Sequence, residues 1–231
     1  MTALIKTNTL KSRNGALDLY KFLASLMIIL YHTQKFARKG EISYVIADPV
    51  FVEFFFIISG VLLGKTVMRD IETSRKNGVI SETCNSIAGD TLSFFKKKFC
   101  GLMPNYYVAW IISFILLHIG VQQDIFKQLA DSVWALFFCT ETGLYLYSPN
   151  AVTWYIAAML TVMLALYPIM RKLKNIWFFV VGPLLVLFML GYSYQTWSSL
   201  SGPHHWMGFY FKGMFRALMA ISLGTVCFRV A

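Results

Sequence analysis

Charge is what this sequence has least of. Asp, Glu, Lys and Arg make up only 14% of the 231 residues, against about 25% in soluble domains, whereas hydrophobic residues make up 57%. A soluble core of this length cannot hide that much apolar surface, which excludes a single water-soluble domain. Acidic residues are scarcer still, 11 against 21 Lys and Arg, for a net charge of +10. No nucleic-acid module pattern accompanies that excess, so no nucleic-acid partner is expected. The four cysteines (Cys84, Cys100, Cys139, Cys227) lack metal-ligand spacing; neither a structural zinc nor a disulfide is expected. His204 and His205 are adjacent but have no third ligand nearby in sequence, so no metal is expected there. Internal repeats and low-complexity tracts are absent.

What is present is a succession of apolar runs, each near the ~20 residues that a helix needs to cross the hydrocarbon. Spans are read at about 16–36, 47–67, 102–121, 151–170, 175–192 and 210–228. The first is read as a retained helix, not a cleavable leader: it is too long, carries Asp18 and Lys21, and lacks a small-residue cleavage site. Residues 125–147 are apolar but interrupted by Cys139-Thr140-Glu141-Thr142-Gly143. They form either a further span or a re-entrant segment.

Short cytoplasmic loops collect Lys and Arg, which discriminates between the two. With 125–147 re-entrant, fourteen basic residues lie inside and four outside; with a full crossing the count is ten against eight. The expected fold is therefore all-α, a polytopic transmembrane helix bundle of about six spans plus a re-entrant segment, with both termini cytoplasmic in the cell membrane. Residues 1–15 read as a cytoplasmic segment, 16–231 as the transmembrane domain, and 68–98 as a cytoplasmic loop within it. The net positive charge then faces anionic lipid headgroups. The loop at 193–209 faces outside, with Trp197 and Trp206 suited to an interfacial belt.

Chemistry begins in the first span. At 100° per residue, with Asp18 at zero, Lys21 falls at −60°, Ser25 at −20° and His32 at −40°. Singly, Lys21 can snorkel to headgroups, Asp18 can neutralise it, and His32 can sit at the interface. Jointly, one polar stripe on an otherwise apolar helix points to a bundle interior or a water-filled cavity.

These residues resemble the acyltransferase 3 family of membrane acyltransferases. The family's first helix carries a basic residue, ten intervening residues and a histidine, matched by Lys21 and His32, preceded by Leu17-Asp18-Leu19. Its second signature, an acidic residue, Phe-Phe, two apolar residues and Ser-Gly, is matched by Glu53 through Gly60. Pro104 and Tyr106, Trp154-Tyr155, and Arg216 with Gly224 extend the likeness over about 12–228. One departure is that Lys98 and Gly101 stand where members often have two arginines. Another is length: members usually have roughly ten spans, so the resemblance implies a chain that is incomplete relative to the family.

The resemblance implies transfer of an acyl group, typically acetyl, from cytoplasmic acetyl-CoA or a similar acyl-CoA to a hydroxyl of an exported carbohydrate. No tightly bound cofactor is implied. Under this reading His32 is the general base or a transient acyl carrier. Lys21, paired with Asp18, binds anionic donor groups or fixes the helix. Lys97 and Lys98 are placed to attract coenzyme phosphates, though a positive-inside anchor explains them equally. Glu53, Ser59, Trp154, Tyr155 and Arg216 are the candidate acceptor-binding residues, and Ser59 with Gly60 would let the second helix approach the first. The competing class is a non-catalytic membrane component of polysaccharide export or polymerisation. It accounts for the hydropathy but not for a basic residue and a histidine on one face followed by the Phe-Phe to Ser-Gly signature.

Overall fold

The computed structural model describes residues 15–37, 48–78, 83–121, 124–139, 153–197, 203, 205–208 and 210–230. Two compact units make up the chain, Met1–Val52 and Glu53–Ala231. The first contains helix α1 (Gly15–Ala37) and the opening residues of α2 (Asp48–Lys76). The second contains the rest of α2, then α3 (Cys84–Val121), α4 (Ile125–Leu136), α5 (Trp154–Lys172), α6 (Lys174–Thr196) and α7 (Lys212–Val230). Among the described residues there is no strand, only an isolated antiparallel bridge between Trp206 and Phe211. Six helices, all but α4, are long and apolar enough to cross a bilayer.

The stretch 68–98, read as a loop, is mostly helix. α2 continues to Lys76, where Asn77 and Gly78 end it, Gly78 taking a φ of +78° that glycine adopts without strain. α3 starts again at Cys84. Hydropathy marks where a helix leaves the bilayer, not where it stops, and the Glu, Lys, Arg and Ser residues here are compatible with continued helix.

Cross-helix contacts fix the direction of each helix in the second unit. α2 and α5 run parallel: Phe56 meets the Trp154 ring at 6.0 Å, Ser59 Oγ donates to Met159 Sδ at 3.2 Å, and Tyr167 donates to Asp70 at 2.8 Å. α3 runs opposite to α5, because Asp90 accepts from Arg171 at one end while Tyr106 and Trp110 share a core with Ala157 and Leu160 further along. The chain between α3 and α5 therefore makes no net crossing, which is the re-entrant arrangement. α4 runs back along α3: Gln128 near its start donates to the Phe114 carbonyl, and Tyr106 near the middle of α3 donates to Ala135 near its end. Residues 140–147 of the expected re-entrant piece lie outside the described residues.

α4 buries two polar residues and leaves Lys127 exposed. Gln128 and Ser132 face inward, whereas Ile125, Phe126, Leu129 and Phe137 are exposed. That inversion of the soluble pattern suits a helix whose outer surface meets lipid.

α2 and α7 approach at backbone contact. A Cβ on Gly60 would collide with the Ile221 carbonyl oxygen and lie 2.9 Å from Gly224 Cα, and a Cβ on Gly224 would collide with the Ile57 carbonyl oxygen. Small residues permit this closeness, which supplies dispersion energy where lipid removes the hydrophobic drive. Gly60 thus makes its close approach to the last helix, a partner that the sequence reading had not assigned to it. α6 packs on α7 through Trp177, whose indole N–H donates to Thr225 Oγ1 at 3.0 Å from within a π-helical turn, Trp177–Val181.

Candidate functional site

Glu53, Trp154 and Arg216 come together from three helices. Arg216 Nε donates to Glu53 Oε1 at 2.5 Å, with both side chains largely buried, at 2% and 13% exposure. The guanidinium also lies over the Trp154 ring at 5.2 Å, a cation–π contact. The second oxygen, Glu53 Oε2, is buried with no hydrogen-bond partner among the described residues. Trp154 is buried, wedged between Arg216 and Phe56. Tyr155 is half-buried on the next position of α5.

The depth of this cluster follows from α3. Its apolar stretch begins after Lys96, Lys97 and Lys98 and ends at Val121, about 34 Å of helix, close to the ~30 Å of the hydrocarbon core. Trp110, which shares a core with Ala157 at the start of α5, lies about 18 Å along it from Lys98. Trp154, and with it Glu53 and Arg216, therefore sits inside the apolar span, within the first two turns of α5, α2 and α7 and away from their basic last turns. Charged groups at that depth are costly and are tolerated when they pair or face water.

One turn before Arg216, Lys212 is buried over the Trp197 ring at 4.9 Å. Phe215 meets the Trp197 ring edge-on, stacks with Tyr210 and packs against Tyr192. Outside the spans, burial raises the Tyr210 hydroxyl above its usual range, and its hydrogen bond to Tyr192 adds to that. The residues 203, 205–208 and 210–211 fold back on α7, with Gly208 at a φ of +94° and the Pro203 carbonyl accepting from Gly213. His204 lies outside the described residues. His205 Nδ1 is 3.2 Å from Met207 Sδ.

A second polar cluster, at the Lys96–Lys98 end, escaped the sequence reading. The Arg171 side chain is 1% exposed and donates to Asp90 at 2.9 Å and Ser74 at 3.3 Å, while Tyr167 bridges to Asp70. Counting Arg171 as a loop charge beside Lys172 hid it. The available signal was angular: Leu160, Met163, Tyr167 and Arg171 fall within 80° on the helical wheel, and Lys172 falls 100° further on. Lys98 is half-buried over the Phe94 ring at 5.9 Å, and Lys97 is exposed. Both belong to this end and not to the Glu53–Arg216 cluster.

Asp18, Lys21 and His32 belong to the first unit. α1 is unbroken from Gly15 to Ala37, so the stripe they define is preserved, with Lys21 and His32 about 16 Å apart along the axis. Ser25 Oγ donates to the Lys21 carbonyl, and the His32 ring meets Tyr31 edge-on at 5.2 Å.

A bundle with six helices long and apolar enough to cross a bilayer, and a charged pair buried between two of them, defines an integral membrane protein with a polar site inside it. A family model described as an acyltransferase domain matches residues 14–229, and the chain belongs to the acyltransferase 3 family. No curated protein and no solved structure matches it.

Proposed function

We propose that this acyltransferase moves an acyl group, typically acetyl, from a cytoplasmic acyl-CoA to a carbohydrate hydroxyl on the opposite face. The observation that carries the reading is the Glu53–Arg216 pair. It joins the acidic residue of the second family signature to a cation 163 residues away, and holds both buried between helices beside an aromatic ring suited to a sugar face.

In this reading the basic end is cytoplasmic. Lys97 and Lys98 attract the coenzyme phosphates there, and Lys21, with Asp18, receives the anionic part of the donor. His32 accepts the proton of the acceptor hydroxyl. The hydroxyl oxygen forms the new C–O bond at the thioester carbonyl, the C–S bond breaks, and the thiolate leaves to be protonated. Glu53, Ser59, Trp154, Tyr155 and Arg216 line the acceptor side.

The test is transfer or hydrolysis of radiolabelled acetyl-CoA by protein reconstituted in lipid. His32→Ala is expected to lower turnover at least about 10²-fold, the usual contribution of a positioned base, while the thermal midpoint stays unchanged. Unchanged turnover in that variant removes His32 from the mechanism.

A further inference from the structure

Where α2, α3 and α5 meet at the Lys96–Lys98 end, pairs of residues spaced by four interlock: Asp70 and Ser74, Asp90 and Phe94, Tyr167 and Arg171. Tyr167 donates to Asp70 at 2.8 Å and stacks on Phe94 at 4.5 Å. One turn on, Arg171 donates to Ser74 at 3.3 Å and to Asp90 at 2.9 Å. These contacts set the register of the antiparallel α2 and α3. Asp70 is level with Phe94 and Ser74 with Asp90, so Arg69 is level with Phe95, and Lys97 lies about 3 Å from that level along the axis. Lys97 is exposed and shares the Asp90 face of α3, about 20° from it on the helical wheel. Arg69 is also exposed, but Asp70 steers its guanidinium: Oδ1 accepts from Nε and Nη2 at 3.2 and 3.0 Å, while Oδ2 is held by Tyr167. Two cations at one level repel each other and an exposed pair such as Arg69–Asp70 adds little stability, so the fold alone gives no reason for the arrangement.

We infer that Arg69 and Lys97 hold a phosphate group of the donor between them, and that Arg171 is the positioning residue that keeps α2 and α3 in the register this site needs. The Arg171 side chain, at 1% exposure, is too buried to touch the donor itself. A planar fork on one helix and a mobile ammonium on the other suit the oxygens of a phosphate. That the phosphate belongs to the donor rests on the acyl-CoA reading above; a lipid headgroup presents the same chemistry at this end of the bundle.

The test is coenzyme A binding, by calorimetry, to protein in phosphatidylcholine nanodiscs. Arg69→Gln and Lys97→Gln are each expected to weaken binding about tenfold, and Arg75→Gln, a cation further along the same helix, less than about twofold. Asp90→Asn separates register from charge. It removes a negative charge, which by field alone would tighten binding of a polyanion; loss of register instead weakens it, by about threefold or more, and Asp90→Glu should restore it. Unchanged or tighter binding in Asp90→Asn overturns the positioning role of Arg171. Retention of phosphatidylglycerol through purification, read by mass spectrometry, distinguishes the two sources of phosphate: lipid lost from Arg69→Gln with coenzyme A affinity unchanged assigns the site to a headgroup and overturns the donor assignment. If the wild type binds no coenzyme A, the acyl-CoA reading fails as well; if it binds and Arg69→Gln does not weaken it, only the Arg69–Lys97 site fails.

Discussion

Glu53 and Arg216 show how differently a residue reads alone and in place. In sequence, Glu53 opens a signature and Arg216 is a cation in an apolar run; only packing shows that one neutralises the other across α2 and α7. Removing one partner leaves an uncompensated charge in low dielectric, which typically costs about 3–5 kcal/mol. Arg216→Met should therefore lower the thermal midpoint in detergent strongly, and Glu53→Gln less. The double variant Glu53→Leu with Arg216→Met should recover much of the stability, since a buried pair replaced by apolar groups is often nearly neutral. If the pair handles substrate, turnover stays lost in the double variant despite the recovered fold; restored turnover would reduce the pair to scaffolding. Arg171 marks the limit of residue-level reading. Its positive charge made it look like its loop neighbours, and its burial against Asp90 and Tyr167 depends on helices that are distant in sequence.

At the scale of elements, the spans and the re-entrant piece were legible because hydropathy and loop charge respond to the bilayer directly. The helical extensions of α2 and α3 beyond it were not, since hydropathy carries no information about helix in water. Nor was the α2–α7 contact: Gly60 and Gly224 could be seen as small, but which faces meet is decided by the whole bundle. Gly224→Val should force the two backbones apart, at roughly 1–3 kcal/mol for overpacking, with Gly101→Ala, where an added Cβ meets nothing, as the silent control. Thermal midpoints of the two variants check this. Likewise, Tyr106→Phe with Tyr107→Phe removes one donor each from the Ala135 and Leu136 carbonyls, at about 0.5–1.5 kcal/mol each. Faster hydrogen exchange over 125–136 than over α5 is the expected signature.

For the whole molecule, the fold and family follow from features spread along nearly the full chain, whereas the orientation rests on charge alone. The basic ends of α2, α3, α5 and α7 gather Arg69, Arg75, Lys76, Lys96, Lys97, Lys98, Arg171, Lys172 and Arg229 on one side of the bundle. That side should be cytoplasmic. A protease-sensitive tag placed between Asn77 and Gly78 should be protected in intact cells, and one placed after Thr196 should be cut; the reverse pattern would invert the proposed donor and acceptor faces.

The short α4 also bears on how the chain is assembled. With 12 residues it cannot span the hydrocarbon by itself, and among the described residues Gln128 on its buried face bonds to Phe114 and His118 of α3. A membrane-insertion machinery that releases helices by their apolar length has no reason to admit α4 singly. It must enter together with α3, or slide down beside it once α3 is in place. The two tyrosines on α3, which donate to the Ala135 and Leu136 carbonyls, then act as a receiver for a late-arriving piece.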